Sequence, residues 1–296
     1  MSNGGPRDQR HNGPAPSAAC ELDLATLNVA RIYDYYLGGK DNYASDREVA
    51  RMVLRAAPDI PLAALENREF LKRAIQFLVC EAGIDQFIDI GPGLPTRGNV
   101  HTLVQQRKPD APVVYADNDP VVLAHGRALL QQAAGVAVIE GDIREPGAIL
   151  SHPELRALID LSRPVAVCMS LVLRFMPDAD DPRALVARFR ESIRPGSYLV
   201  LTPVTGDERT VETMSEIRGL YDDATPPLVP RTKAEFARLF DGFELVEPGV
   251  VFLSQWRPTG EYFAPRRYPL GVRRGREEAR SVTVMARRHF TLRRTA

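Results

Sequence analysis

The chain has 296 residues, 44% of them apolar and 26% charged, and its 38 basic residues balance 38 acidic ones. This composition is typical of an ordinary globular protein and argues against a disordered chain or a wholly basic nucleic-acid binder. The zero net charge hides a partition. Residues 257–296 contain eleven Arg and three Glu, a net charge of +8, so the first 256 residues carry −8.

Residues 1–22 are rich in Gly, Pro, Ser and Asn and lack the apolar core of a signal peptide. We expect a disordered leader and a cytoplasmic protein. No run approaches the roughly 18 continuous apolar residues that a membrane span requires. The three cysteines lie outside any Cys/His cluster, so no metal site is expected. Cys80 and Cys168 lie in apolar runs and are predicted to be buried.

Three helices are predicted in residues 23–83, from capping residues and from apolar side chains at helical period. The first begins at Asn28 and stops at Gly38, and the second opens with a capping box at residues 45–48. The third covers residues 62–82. After this segment the hydrophobic pattern changes.

From residue 84 to residue 258, short apolar runs alternate with helical patterns. The predicted strands are 86–90, 112–116, 136–140, 164–169 and 197–201. The predicted helices between them are 98–107, 120–134, 146–158 and 181–193. Five β-α units in succession predict an α/β fold with a doubly wound, mostly parallel sheet. A helix over residues 232–240 and a long strand over 243–256, with a kink at Pro248-Gly249, follow. A last antiparallel strand at 281–286, paired with residues 250–254, completes the pattern.

The loop after the first predicted strand contains Gly91 and Gly93, which allow a tight turn and the close approach of a ligand. A dinucleotide fingerprint requires glycine at the position of Thr96. Asp89, just before the loop, would repel a pyrophosphate but suits a ligand that carries an ammonium group. These residues favour S-adenosylmethionine, with NAD as the disfavoured alternative.

Acidic residues also follow the second and third predicted strands. Asp117, with Asn118 beside it, can accept hydrogen bonds from both hydroxyls of a ribose. Asp119 is the second candidate, although it is also placed to cap the next helix. Asp142 and Ile143 are placed to contact the amine and the ring face of an adenine. Three such signals in register predict a class I methyltransferase.

The fourth predicted strand ends near Ser170, which we include among the cofactor-binding candidates. Base-amine methyltransferases carry an Asp/Asn-Pro-Pro-aromatic run at this point to hold the target amine, and the chain has no such run. The sequence therefore argues against methylation of an exocyclic amine on DNA.

Together these residues resemble a family of S-adenosylmethionine-dependent methyltransferases that is described mostly from actinobacteria and has no assigned substrate. Its hallmark is the run from Val29 to Tyr43, which contains Tyr-Asp-Tyr-Tyr-Leu-Gly-Gly-Lys-Asp-Asn. The resemblance continues through residues 67–71 and 87–100 and extends to residues 240–258.

The resemblance implies a Rossmann-like core at residues 84–258, with N-terminal helices at 23–83 that cover the cofactor, and leaves the Arg-rich segment 259–296 unexplained. The polar residues of that cover, named as lid or substrate candidates, are Tyr33, Tyr36, Lys40 and Asp41. Arg68 is similar in position to an Arg that meets the methionine carboxylate in carboxyl and polyketide O-methyltransferases. Arg174, a further substrate candidate, stands where relatives usually have His.

The predicted function is methyl transfer from S-adenosylmethionine to an oxygen or nitrogen of a small molecule, by in-line displacement with little need for a general base. The sequence names neither the acceptor, nor a base, nor the oligomeric state. One alternative is a non-catalytic protein that binds S-adenosylmethionine or S-adenosylhomocysteine. Another is an RNA methyltransferase with a basic electrostatic arm, which the lack of aromatic interleaving disfavours.

Overall fold

The computed structural model describes residues 26–96, 98–203, 211–221, 228–258 and 282–288. The predicted leader and most of the Arg-rich segment lie outside the described residues. The helices are α1 Val29–Tyr36, α2 Ala44–Ala56, α3 Ile60–Cys80, α4 Val100–Gln105, α5 Pro120–Leu129, α6 Pro146–Ser151, α7 Pro153–Leu158, α8 Pro182–Ser192, α9 Val211–Leu220 and α10 Lys233–Ala237. The strands are β1 Phe87–Ile90, β2 Val113–Asp117, β3 Val136–Glu140, β4 Ala166–Ser170, β5 Tyr198–Thr202, β6 Phe243–Leu245, β7 Val251–Phe252 and β8 Val282–Arg288.

The strands form a mixed sheet with the order β3-β2-β1-β4-β5-β8-β6. The first five strands in this order are parallel, and β8 is antiparallel to both β5 and β6. This confirms the doubly wound, mostly parallel sheet with an antiparallel last strand. β8 also pairs with β7 as predicted, but its insertion between β5 and β6 was not predicted.

Both faces of the sheet are buried, because alternate residues of each strand point to opposite sides. On one face, Ile88 and Ile90 pack with residues of α6, α7 and α8. On the other face, Phe87 and Tyr115 pack with α3, α4 and the fully buried Trp256. No described helix combines the length and apolar character needed to cross a membrane.

A third apolar cluster joins α1 and α2 to α9. Ile32 and Tyr36 of α1 pack there with Val53 of α2 and with Ile217 of α9. Helix α9 was not predicted, because its sequence carries only a weak apolar stripe. The helical layer above the sheet is therefore built from two segments that are far apart in the chain.

Several element ends differ from the sequence prediction. Helix α2 begins at Ala44 rather than after Ser45, since the Asp46 carboxylate accepts a hydrogen bond from the Tyr43 backbone N–H at 2.9 Å. The predicted helix 146–158 is broken at Pro153, which cannot donate a backbone hydrogen bond.

The predicted long strand 243–256 is interrupted, rather than only bent, at its predicted kink. It consists of β6 and β7, which are separated by a turn at Pro248-Gly249. The prediction that both cysteines of the apolar runs are buried is wrong for Cys80. Its side chain lies on the exposed side of the last turn of α3, whereas Cys168 is buried in the centre of β4.

A buried ion pair joins α1 to α2. The Arg31 guanidinium lies 2.8 Å from the Asp46 carboxylate, and both side chains are almost inaccessible to solvent. The same carboxylate accepts hydrogen bonds from the backbone N–H groups of Asn28 and Tyr43. Asp46 therefore holds the start of α1, the start of α2 and the Arg31 side chain together.

We expect Asp46→Ala to lower the free energy of unfolding by about 3–5 kcal/mol, because it leaves the buried Arg31 guanidinium without its carboxylate. Glu48 is exposed on the same helix and provides the control. The effect of Glu48→Ala should stay within about 0.5 kcal/mol. Urea unfolding followed by circular dichroism measures both, and equal effects would contradict a stabilising role for the buried pair.

Candidate functional site

A cavity of about 740 Å³ lies at the carboxyl ends of β1, β2, β3 and β4. It opens where the strand order reverses between β1 and β4, which is the place where ligands bind in sheets of this kind. Its walls come from the loops after these strands and from α1 and α3 of the helical layer. The sequence-predicted residues that line it are Tyr33, Arg68, Asp89, Gly91, Gly93, Asp117, Asn118, Asp142, Ile143, Ser170 and Arg174.

The glycine loop forms the floor of the cavity after β1. Gly91 and Gly93 have φ angles of +64° and +67°, which side chains other than glycine rarely adopt. A Cβ atom on Gly91 would lie 2.5 Å from a methyl carbon of Val172. The loop is anchored by the Gly91 N–H, which donates to the Ala116 carbonyl at 2.9 Å. Backbone rather than side chains therefore faces a ligand here.

Asp89 is buried at the centre of β1, and among the described residues its carboxyl has no hydrogen-bond partner. Burial raises the pKa of this carboxyl to about 7; the positive charge of Arg68 opposes the shift, and the negative charge of Asp117 adds to it. Arg68 itself donates to the Gly98 carbonyl at 2.7 Å. A buried carboxyl with free oxygens suits a cationic ligand.

The two acidic candidates after β2 have different roles. Asp119 caps α5 by accepting from the Val121 N–H at 2.7 Å, and it also accepts from the Asn28 side chain at the start of α1. Asp117 accepts from the backbone of Asp119 at 3.0 Å and of Gly93 at 3.4 Å. Burial raises the pKa of Asp117 to about 6, although these hydrogen bonds lower it.

Asp142, after β3, is held by its neighbours. Its carboxylate accepts from the Arg144 guanidinium at 2.9 Å and from the Asn118 amide at 3.2 Å. The hydrogen bonds from Arg144 lower the pKa of this carboxyl, so Asp142 is ionised. Ile143 packs its side chain against the core between these polar groups.

A polar cluster closes the cavity at the end of β4. The Asn67 amide donates to the Ser170 hydroxyl at 3.0 Å and to the Tyr33 hydroxyl at 3.2 Å. The Ser170 hydroxyl is also 3.1 Å from that of Thr202, and Tyr33 donates to the Ala64 carbonyl. Burial raises the pKa of Tyr33, which keeps its phenol neutral. The cluster connects α1, α3, β4 and β5.

Sequence reasoning named only part of this wall. Asn28, Leu171 and Asn67 line the cavity and were not assigned to the site, and neither was Thr202, which contacts Ser170. Leu171 has a φ angle of +62°, which is costly for a residue with a Cβ atom and is typical of strained functional sites. A leucine after an apolar strand carries no signal of such a conformation, whereas Asn67 could have been noticed as a polar residue on the buried face of α3.

Three predicted lid or substrate candidates lie away from the cavity wall. Tyr36 is buried in the helical layer, where its hydroxyl is 3.1 Å from that of Tyr221. Lys40 is exposed to solvent, and the Asp41 backbone N–H donates to the Asp34 carboxylate at 2.9 Å. These residues shape the connection between α1 and α2 rather than the cavity.

The Gly-Gly-Lys-Asp-Asn run at residues 38–42 is a turn built around Asp34. The carboxylate of Asp34 also accepts from the Asn42 side chain at 2.7 Å. A Cβ atom on Gly39 would collide with the same carboxylate, so the turn requires glycine there. The contacts of Gly39, Asp41 and Asn42 with Asp34 therefore explain these residues as parts of a turn.

The fold and the cavity can be compared with known proteins. Residues 16–286 match a protein family described as S-adenosyl methyltransferase. A solved structure of a DUF574 family protein from Streptomyces avermitilis MA-4680 is 37% identical, with a TM-score of 0.81 over 90% of this chain and 99% of that chain. A candidate methyltransferase from Thermobifida fusca YX is also 37% identical, with a TM-score of 0.80 over 93% of this chain and all of that chain. No curated protein matches the chain.

The raised pKa of Asp89 predicts how stability depends on pH. Because the folded protein binds this proton more tightly than the unfolded chain, the stability that the proton contributes is full below about pH 3.8 and is lost as the pH rises through about 7. Asp89→Asn should therefore be more stable than the wild type at pH 8. We expect its advantage to grow by on the order of 2 kcal/mol between pH 5 and pH 8.

Thermal and urea unfolding across this pH range measure the effect. Asp110→Asn, at an exposed position before the opposite end of β2, serves as the control and should show no such trend. Parallel stability curves for the wild type and Asp89→Asn would contradict the burial of an ionisable group at this position.

Proposed function

The chain belongs to the S-adenosyl methyltransferase family and uses S-adenosylmethionine, and we propose that it methylates an oxygen or nitrogen of a small molecule by in-line displacement. The observation that carries this proposal is the buried Asp89 carboxyl, which has free oxygens beside the Gly91–Gly93 loop at the switch point of the sheet. The residues of the cavity fit the cofactor, because its ammonium group can serve as the cationic partner of the Asp89 carboxylate.

We assign the methionine end of the cofactor to the region of β1. Asp89 binds the ammonium group, and Arg68 binds the carboxylate from the adjacent helix α3. Arg68 lies close enough to Asp89 for their charges to interact. This proximity supports the assignment, because the two side chains are complementary to the carboxylate and the ammonium group of one amino acid. Ser170, bound to Asn67, contributes a hydroxyl on the side of β4.

We assign the nucleoside end to the regions after β2 and β3. Asp117 accepts hydrogen bonds from the ribose hydroxyls, because Asp119 is already engaged as a helix cap. Asp142, oriented by Asn118, accepts from the adenine amine, and Ile143 contacts the ring face. The Gly91–Gly93 backbone allows the close approach that such a ligand needs.

The bound cofactor supplies an already activated methyl group, so the protein has to orient the acceptor and exclude water. Tyr33 contributes a neutral hydroxyl whose proton is directed at the Ala64 carbonyl, an arrangement that supports positioning over proton abstraction. Helix α1 lines the cavity beside α3, and α2 and α9 pack against α1. A volume of about 740 Å³ lies in the range of roughly 300–1,000 Å³ of ligand pockets and supports a small acceptor.

The remaining features stay predictions. They are the leader at 1–22, the cover at 23–83, the core at 84–258, the Arg-rich segment at 259–296, and the cytoplasmic location. The RNA alternative depends on residues that lie largely outside the described ranges, and strongly salt-dependent RNA affinity would support it.

Calorimetric titration with S-adenosylhomocysteine tests the cofactor site. We expect the wild type to bind, and we expect Asp117→Ala to bind at least tenfold more weakly, because it removes charge-assisted hydrogen bonds to the ribose. Asp110→Ala, an exposed acid at the other end of β2, should leave the affinity unchanged. Absence of binding by the wild type, or equal affinities for the two variants, would contradict the assignment.

A further inference from the structure

Arg174 lies in a short helical turn that follows β4, four residues after Ser170, and it lines the same cavity. Its backbone carbonyl accepts from the Val229 N–H, which fixes this turn against the chain after α9. Its guanidinium carbon lies 4.6 Å from the centre of the Phe175 ring. In the sheet, β1 separates β4, which precedes this turn, from β2 and β3.

Arg174 differs from Arg68 and Arg144, the two other arginines that line the cavity among the described residues. Arg144 is paired with the carboxylate of Asp142, and Arg68 donates to a backbone carbonyl and lies near Asp89. Arg174 makes no ion pair with any described residue, and its Nε–H is buried without a hydrogen-bond partner. A partly desolvated cation without a counter-ion is unfavourable, so this group favours an anion in the cavity.

Three tyrosine hydroxyls of the described residues interact electrostatically with Arg174. Tyr33 and Tyr36 of α1 and Tyr221 after α9 are all within electrostatic reach of its charge. Burial raises the pKa of each of these phenols and outweighs the opposite effect of Arg174, so no phenolate supplies the missing negative charge. Phe175 adds an aromatic face beside the guanidinium.

We propose that Arg174 binds a carboxylate of the methyl acceptor, so that the substrates of this enzyme are small organic acids. This inference rests on the proposed function, because it assigns the rest of the cavity to the cofactor. The planar guanidinium presents paired N–H donors that match a carboxylate, and the neighbouring Phe175 ring suits an apolar or aromatic body attached to it. Arg174 thereby determines specificity by direct contact with the acceptor.

The test compares acids with their amides on protein saturated with S-adenosylhomocysteine. The probes are benzoate against benzamide and 4-hydroxybenzoate against 4-hydroxybenzamide, with affinities measured by ligand-observed NMR titration. We expect the wild type to bind each acid at least tenfold more tightly than its amide. Arg174→Gln should abolish this preference while changing the affinity for S-adenosylhomocysteine by less than twofold, and Arg174→Lys should retain part of it.

Arg188→Gln removes an exposed positive charge from α8 and is the matched control, which should keep the full preference. If the wild type binds S-adenosylhomocysteine but binds no acid more tightly than its amide, the inference about Arg174 is overturned and the proposed function is not. Persistence of the preference in Arg174→Gln does the same. Failure of the wild type to bind S-adenosylhomocysteine would overturn the proposed function as well, so the two failures are distinguishable.

Discussion

The site depends on one constraint, which is that parallel strands end at the same edge of a sheet. Helices α4 and α5 lie on one face and α6, α7 and α8 on the other, so the chain turns to opposite sides after β1 and after β4. The crevice between these two loops cannot be filled by either helix layer. It brings residues that are far apart in the chain, such as Tyr33 and Arg174, to one cavity.

The helical layer is fastened to this edge through polar contacts. Asn28 links the two systems, since its backbone donates to Asp46 and its side chain donates to Asp119. The buried Arg31–Asp46 pair is thereby connected to the cap of α5, next to Asp117. Burial of the Asp89 and Asp117 carboxyls lowers the stability of the free protein at neutral pH, where part of their population is ionised. The same burial leaves carboxyl groups available to a cationic ligand, so stability is given up for binding.

Much of the fold was predictable from the sequence because its signals are local. Apolar runs of about five residues followed by capping residues located β1 to β5. The helices between them differ from the prediction at their ends and in the break at Pro153. Helix α9 escaped prediction because contacts with α1 and α2, rather than its own periodicity, bury it. The exposure of Cys80 was missed for a related reason, since an apolar run does not say which face of a helix meets the core.

The sequence by itself determined the order of the elements and the residues at the strand ends, including Asp89, Gly91 and Asp117, because period and turn chemistry are written locally. Only the tertiary structure decided how those residues are used. It engaged Asp119 as a cap and left Arg174 without an ion-pair partner among the described residues. Such roles depend on contacts between side chains that are far apart in the sequence, and local sequence patterns do not specify those contacts.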